Sequence, residues 1–379
     1  MGGPGRLRYG LQKGAMSGYD CATQGLLPKE NQMTQRITRR TFVAGAAAGS
    51  IGAATAGPAF AQAKPKDRKY ILATATTGGT YYPVGVALAT LTKVKLEPKF
   101  KVSLSAIASA GSGENVKLLR ENQAQFGILQ GLFGAWAAKG TGMLKGDGPQ
   151  KNIRSISMLW VNVEHFLVKK EYAKTGTMAD LQNLKGKKFS IGARNSGTEG
   201  SGRSILAGLG IDTDKHFDVV YMGYNPTADA LQNGTIEGAN LPGGVPVTAI
   251  TQTMAKMGDA VRVLDFTDDE VKRSNRDIGV DLWFRYVIAP NAYPGQSKPI
   301  NAIAQPNFLA VNQNVDEDAV YMVTKSIYEN LAFLNNIHKA TNYMALNKAL
   351  SGLPAPLHPG AAKFYKEKGM TIPPALMPV

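Results

Sequence analysis

Three short stretches of this 379-residue chain combine glycine with serine or threonine in a way that suits anion binding. They are Thr77-Gly78-Gly79-Thr80, Ala110-Gly111-Ser112-Gly113 and Ser196-Gly197-Thr198-Glu199. In each, strand-like sequence precedes the turn and helix-like sequence follows it. A helix start exposes backbone N–H groups with no intrahelical acceptor and carries about half a unit of positive charge. Glycine lets the backbone approach a ligand closely and a hydroxyl adds a donor, so each turn is a cradle for a carboxylate or phosphate. Taken singly, each is also an ordinary helix cap. Ser196-x-x-Glu199 fits a capping box, which makes Glu199 a cap more than an acid catalyst. Three such turns converging on one cleft would hold an anion without a buried arginine.

Tyr81, Tyr82 and Trp160 lie near these turns. A tyrosine offers an apolar face with a hydroxyl tip, and one of the two is expected to wall the cleft. Gln130 ends a short apolar stretch, where its amide either bonds a ligand or caps a loop. His165 lies on a long apolar segment leading into the second half of the chain, as a ligand contact or as a core residue. The other histidines are His216, His338 and His358; none has metal-ligand spacing, and no metal is expected. Gly197 to Ser204 nearly matches a phosphate-binding loop, but Arg203 replaces its lysine. No G-x-S-x-G elbow occurs. No catalytic residue and no cofactor are expected.

Elements that position these residues can be read from the pattern. Lys69–Thr74 is strand-like, Tyr81–Val94 helical, Phe100–Ile107 an alternating strand, Glu114–Asn122 helical and Phe126–Gln130 a short strand. Such alternation predicts a parallel sheet flanked by helices. After the long strand Ile156–Lys169 a second unit of the same kind runs to about Leu264. Phe284–Ile288 and Phe308–Val311 are strands returning to the first unit. Helices are expected over Glu317–Asn335, Asn342–Leu350 and Gly360–Lys368. Ligands of open α/β sheets bind beyond the carboxyl ends of the strands.

The amino-terminal stretch reads as an address. Thr38-Arg39-Arg40-Thr41-Phe42-Val43 is a twin-arginine pattern, followed by an apolar stretch rich in alanine and glycine. Ala59-Phe60-Ala61 suits cleavage after Ala61, or else after Ala63. Met33 is the expected true start. The apolar stretch is too short to span a bilayer, so the mature protein is expected in the periplasm and not itself membrane-spanning. The only cysteine, Cys21, lies in this segment, which excludes a disulfide framework or a cysteine nucleophile downstream. Residues 1–61 hold seven basic and two acidic side chains, or +5 of the formal +15. The remaining +10 is scattered rather than clustered, so no nucleic-acid partner is expected. At 44% hydrophobic, the rest can build two lobes with real cores.

Several segments together resemble the TAXI-type solute-binding receptors of TRAP transporters. They are Thr77-Gly78-Gly79-Thr80-Tyr81-Tyr82-Pro83-Val84-Gly85, Gly111-Ser112-Gly113-Glu114-Asn115, Phe126-Gly127-Ile128-Leu129-Gln130 and Asn195-Ser196-Gly197-Thr198-Glu199. Leu181-x-x-Leu184-Lys185-Gly186-Lys187, Ala230-Leu231-x-x-Gly234, Tyr293-Pro294-Gly295-Gln296 and the stretch from Gly352 to Ala361 complete the match. It covers residues 69 to 370. The resemblance implies an α/β, two-lobed type II periplasmic binding protein fold with a ligand cleft between the lobes. The expected division is 1–61 extension and signal, 62–160 first part of lobe 1, 161–286 lobe 2, and 287–379 return to lobe 1.

The resemblance also implies a small carboxylate ligand, such as a glutamate-like amino acid or dicarboxylate, delivered to a TRAP-type permease for ion-coupled uptake. Thr77, Gly78, Gly79, Gly111, Ser112, Ser196, Gly197 and Thr198 would then cradle carboxylates. Tyr81 or Tyr82, Gln130, Trp160 and His165 would line the cleft. Two segments depart from the family: Trp160-Val161-Asn162 stands where an aromatic residue precedes Pro-Glu, and Val245-Pro246 where an aromatic precedes proline. A binding module feeding a membrane sensor, or an exported enzyme on the same fold, are the alternative readings.

Overall fold

The computed structural model describes residues 66–276, 278 and 282–379. The signal, its cleavage site, Cys21 and the Met33 start lie outside the described residues.

Two sheets organise the described chain. The first is built from β1 (Arg68–Ala73), β2 (Val102–Ile107), β3 (Phe126–Gln130), β4 (Ile153–Val163), β10 (Phe284–Ile288) and β11 (Ile300–Asn312). Its order is β10-β11-β3-β1-β2, with β4 also paired to β11. The second holds β5 (Phe166–Lys169), β6 (Lys188–Ser190), β7 (Asp218–Val220), β8 (Gly238–Asn240) and β9 (Val261–Val263), in the order β7-β6-β8-β5-β9. The chain crosses to the second sheet through Glu164 and His165 and returns between β9 and β10. The expected two-sheet α/β class holds.

The sheets are mixed rather than parallel throughout. β1 pairs in parallel with β2 and β3, as β6 does with β7 and β8, because a helical crossover separates the members of each pair. β11 runs antiparallel to β3, β4 and β10, and β5 antiparallel to β8 and β9. β4 stays in the first sheet as far as Val163, three residues past the expected crossing at 160, and β10 belongs to that sheet as well. β11 is far longer than the expected Phe308–Val311 stretch. It accommodates Pro306 by register shifts against β4 between Pro306 and Phe308 and between Leu309 and Ala310. Proline cannot donate to a ladder, so it belongs at such an irregularity.

The helices that matter for the site start directly after strands. They are α1 (Tyr81–Lys95), α2 (Ser112–Arg120), α3 (Gly131–Lys139), α4 (Gly197–Gly208), α5 (Tyr224–Gln232) and α6 (Thr248–Met257). α1 buries Tyr81, Val84 and Leu88 at helical spacing into the first core. The expected Glu317–Asn335 helix divides at Asn330, where φ is −131°. The expected Asn342–Leu350 helix is two short 3-10 turns, Lys339–Tyr343 and Leu346–Lys348. Between them Met344 is extended and buried in the first core, a tertiary contact that outweighs its helix propensity. Among the described residues, no helix is long and apolar enough to cross a membrane.

Candidate functional site

The amino ends of α1, α2 and α4 open onto one cavity. Its lining includes Gly79, Thr80 and Tyr81 from the first turn and Gly111 and Ser112 from the second. Gly197 and Thr198 come from the third turn, and Gln130, Asn162, Tyr224 and Gly243 complete the wall. The void measures about 360 Å³ counting its mouth. No lysine, arginine, aspartate or glutamate lines it. Whatever positive potential it holds comes from helix ends.

The turns belong to different sheets and meet closely. A Cβ built on Gly111, whose φ of +125° already favours glycine, would lie 3.4 Å from the Gly197 nitrogen. One on Gly197 would lie 2.8 Å from Gln130 Cδ and 2.9 Å from Ser112 Oγ. The Glu114 N–H donates to the Asn195 carbonyl at 3.0 Å, and the Ala249 N–H to the Gly78 carbonyl at 3.1 Å. Thr80 Oγ1 accepts from the Gly244 N–H at 3.0 Å and donates to its carbonyl at 3.1 Å. These bonds span the two sheets, and the cleft is closed.

Each turn is fixed by local bonds. Ser196 Oγ accepts from the Glu199 N–H at 3.0 Å, one half of the expected capping box. The Glu199 carboxylate turns one residue further back, to the Asn195 N–H at 2.7 Å, and also pairs with Arg203. Ser112 Oγ accepts from the Gln130 N–H at 3.1 Å, which ties α2 to the end of β3. Residues 197–204, the near match to a phosphate loop, are helix throughout. Arg203 bonds Asp214 and Tyr221 instead of the cavity.

The floor is a buried polar group carried on β3, β4 and β11. Tyr81 Oη donates to Asn307 Oδ1 at 2.5 Å, and Asn307 Nδ2 donates to Asn162 Oδ1 at 3.3 Å. Asn162 Nδ2 and Gln130 Oε1 line the cavity with no partner, although their residues are only 1% and 3% exposed. Buried polar groups left unpaired in this way are costly. Across the cavity, Thr198 Oγ1 and Tyr224 Oη lie 3.1 Å apart, and Tyr224 Oη also donates to the Pro242 carbonyl. Burial pushes both tyrosine hydroxyls well above their usual range, so they stay protonated donors.

Behind the floor stands Glu164. Its Oε2 accepts from Asn240 Nδ2 at 2.9 Å, while Oε1 has no partner. Burial raises its carboxyl to about 7, opposed by the hydrogen bond from Asn240. The neighbouring His165 is also fully buried, with Nε2 2.8 Å from Tyr293 Oη, and burial lowers it to about 3.

Of the residues singled out from sequence, Gly79, Tyr81, Gly111, Ser112, Gln130, Gly197 and Thr198 share this cavity. Others stand elsewhere. Thr77 is on the exposed rim, where its hydroxyl accepts from Asn225 Nδ2 at 3.4 Å. Gly78, at φ +87°, packs against Asn225. Ser196 spends its hydroxyl on the cap, and Tyr82 is half-buried on the next position of α1. Trp160 lies behind Tyr81, ring to ring at 5.9 Å, and faces a different cavity. His165 lies in the crossing segment, bonded to Tyr293. Asn162, Tyr224 and Gly243 were not foreseen. Asn162 follows the departure at Trp160, and Tyr224 opens a helix after a strand just as the other cradles do. Among the described residues, no group of three His, Cys, Asp or Glu could hold a metal ion.

The profile of the NMT1-like family matches residues 72–369. Solved structures similar to the chain include the periplasmic binding protein BugD, 13% identical, covering 80% of this chain and 94% of that one with a TM-score of 0.49. PhnD1 from Prochlorococcus marinus in complex with methylphosphonate is 14% identical over 73% and 91%, with a TM-score of 0.46. The alkanesulfonate-binding protein SsuA from Xanthomonas axonopodis pv. citri bound to MOPS is 13% identical over 81% and 92%, with a TM-score of 0.43.

Proposed function

The chain belongs to the NMT1-like family, and from that premise we propose that it is an extracytoplasmic receptor that captures a small carboxylate between two lobes. One observation carries the reading: the amino ends of three helices, from both sheets, meet on a cavity with no charged side chain. Backbone N–H groups at Gly79, Ser112 and Gly197 would take the carboxylate, with the Thr80 and Thr198 hydroxyls beside them. Gln130 Oε1 and Asn162 Nδ2 would complete the ligand's remaining hydrogen bonds, since they are the polar atoms left unsatisfied there. Tyr81 and Tyr224, whose O–H groups donate to Asn307 and to the Pro242 carbonyl, would wall the ligand from opposite sides.

The lobes are the halves built on the two sheets, and the hinge includes Glu164 and His165. The open form admits the ligand. Closure brings Gly111 against Gly197, so the ligand gains contacts from both halves that exist only when the cleft is shut. The resemblance to TAXI-type receptors supports delivery to a TRAP-type permease, and the twin-arginine pattern supports export to the periplasm.

The test is thermal unfolding of residues 62–379 against a panel of amino acids, keto acids and dicarboxylates. A molecule that binds only the folded chain raises the melting temperature once its concentration exceeds Kd. A carboxylate that stabilises the wild type and not a Gly79→Val variant supports the assignment. Turnover of a panel member by the purified protein would replace a receptor with an enzyme.

A further inference from the structure

A second cavity lies at the back of the cleft wall, and its chemistry is the reverse of the first. It measures about 590 Å³ counting its mouth. Its polar lining is Trp160, Tyr286, Lys339, Asn342, Tyr343 and Lys348, with no acidic side chain. Neither lysine is ion-paired, and neither tyrosine hydroxyl has a hydrogen-bond partner, among the described residues. Lys348 is half-buried, with Nζ 3.9 Å from the centre of the Tyr343 ring, which holds the ammonium at the cavity wall instead of in bulk water.

Trp160 supplies the independent mark of a ligand. The residue is fully buried and its Nε1 has no acceptor. The indole edge lies against Gly244, another lining residue: a Cβ there would come within 2.9 Å of Nε1. A buried indole N–H ordinarily finds an acceptor. Every polar side chain around this hollow can donate, and two carry a full positive charge.

We propose that this hollow is a binding site for a free small oxyanion, such as inorganic phosphate or a compact carboxylate, separate from the ligand cleft. Lys339 and Lys348 supply the charge. Asn342 and the two tyrosines supply directed donors, and the Trp160 N–H closes the inner end. The proposal does not depend on what the cleft binds, because no side chain of the polar set lines the cleft.

Equilibrium dialysis with radiolabelled inorganic phosphate at constant ionic strength tests it. The wild type is expected to bind one phosphate per chain saturably. Lys339→Gln/Lys348→Gln, at an exposed and a half-buried position, is expected to stay folded and lose roughly tenfold or more in affinity, because charge-assisted donors are removed. Trp160→Phe, which keeps a ring but not the N–H, is expected to weaken binding in the same direction. Gly197→Ala, in the cleft, is expected to leave phosphate binding unchanged. Phosphate affinity unaltered by the double lysine variant, or lost instead in Gly197→Ala, would overturn the assignment, as would no binding in the wild type at millimolar phosphate.

Discussion

Gly197→Ala separates closure of the cleft from folding of its halves. The added methyl would sit 2.8 Å from Gln130 Cδ and 2.9 Å from Ser112 Oγ in the closed cleft. Ordinary carbon contacts lie at about 3.5–4.0 Å, so one neighbour must move by up to about an ångström. Ser112 Oγ is held by the Gln130 N–H, and Gln130 is buried at the end of β3. Ser112 Oγ cannot withdraw without losing the bond that ties α2 to the strand, and the Gln130 side chain is buried and must shift within the wall. Overpacking of this kind costs about 1–3 kcal/mol. Both partners lie on the opposite half of the molecule, so in an open cleft the methyl meets neither of them. The cost then falls on closure alone and weakens ligand binding by about 5- to 150-fold. Titration calorimetry with the carboxylate identified by the panel measures it. Gly146→Ala is the control, since a Cβ there meets nothing within 4 Å. Small-angle scattering should show Gly197→Ala remaining more extended than the wild type at equal ligand. Binding within twofold of wild type, with the same compaction at saturation, would show that these two turns do not meet in the liganded state.

Two adjacent residues of the segment that crosses between the sheets should tilt the pH dependence of stability in opposite directions. Glu164 is raised to about 7 in the folded chain. The folded state therefore holds a proton that the unfolded state releases near its usual value, and stability falls as pH rises through that window. Glu164→Gln should abolish that fall. His165 is lowered to about 3 from 6.5, so its contribution is complete above pH 6.5 and is lost as pH falls. His165→Gln should remove that loss. Between about pH 4.5 and 6.5 each single variant should show a slope of roughly 1.4 kcal/mol per pH unit relative to the wild type, with opposite signs. Urea unfolding across pH 4.5 to 8 measures all three proteins, and parallel curves would refute the assignment of these groups as buried and perturbed in opposite directions.

The three glycine turns were legible because their chemistry is local. A strand, a glycine and a hydroxyl followed by a helix start occupy a few consecutive residues. The floor was not legible. Asn162 and Asn307 fall on long buried strands among several other polar residues, and only the pairing of β4 with β11 brings the two together. The register shift at Pro306, with Gln305 and Asn307 on either side, comes from that pairing and not from a composition signal. Tyr224 carried the same local signature as Tyr81, a helix start after a short strand, but lacked the glycine-hydroxyl turn that drew notice to the others. Trp160 was read as a cleft residue from its neighbourhood in sequence. On a strand, successive side chains face opposite ways, so Asn162 and Trp160 share one face and only depth separates them: the asparagine reaches the cavity and the indole stops behind Tyr81.

The two proposed anion sites would hold negative charge by different means, and salt should tell them apart. In the cleft the proposed donors are backbone N–H groups and hydroxyls that closure shuts away from solvent. Mobile ions cannot enter a closed cleft to screen them, so carboxylate affinity should change little between about 0.05 M and 0.5 M sodium chloride. At the second cavity the attraction would come from Lys339, which is exposed, and Lys348, which is half-buried. Exposed charges are screened over a few ångströms at high salt, so phosphate affinity there should fall steadily across the same range. The comparison needs one protein, two ligands and one calorimeter. Equal salt slopes would mean that a charged side chain holds the cleft ligand as well, and the helix-end account of the cleft would have to be abandoned.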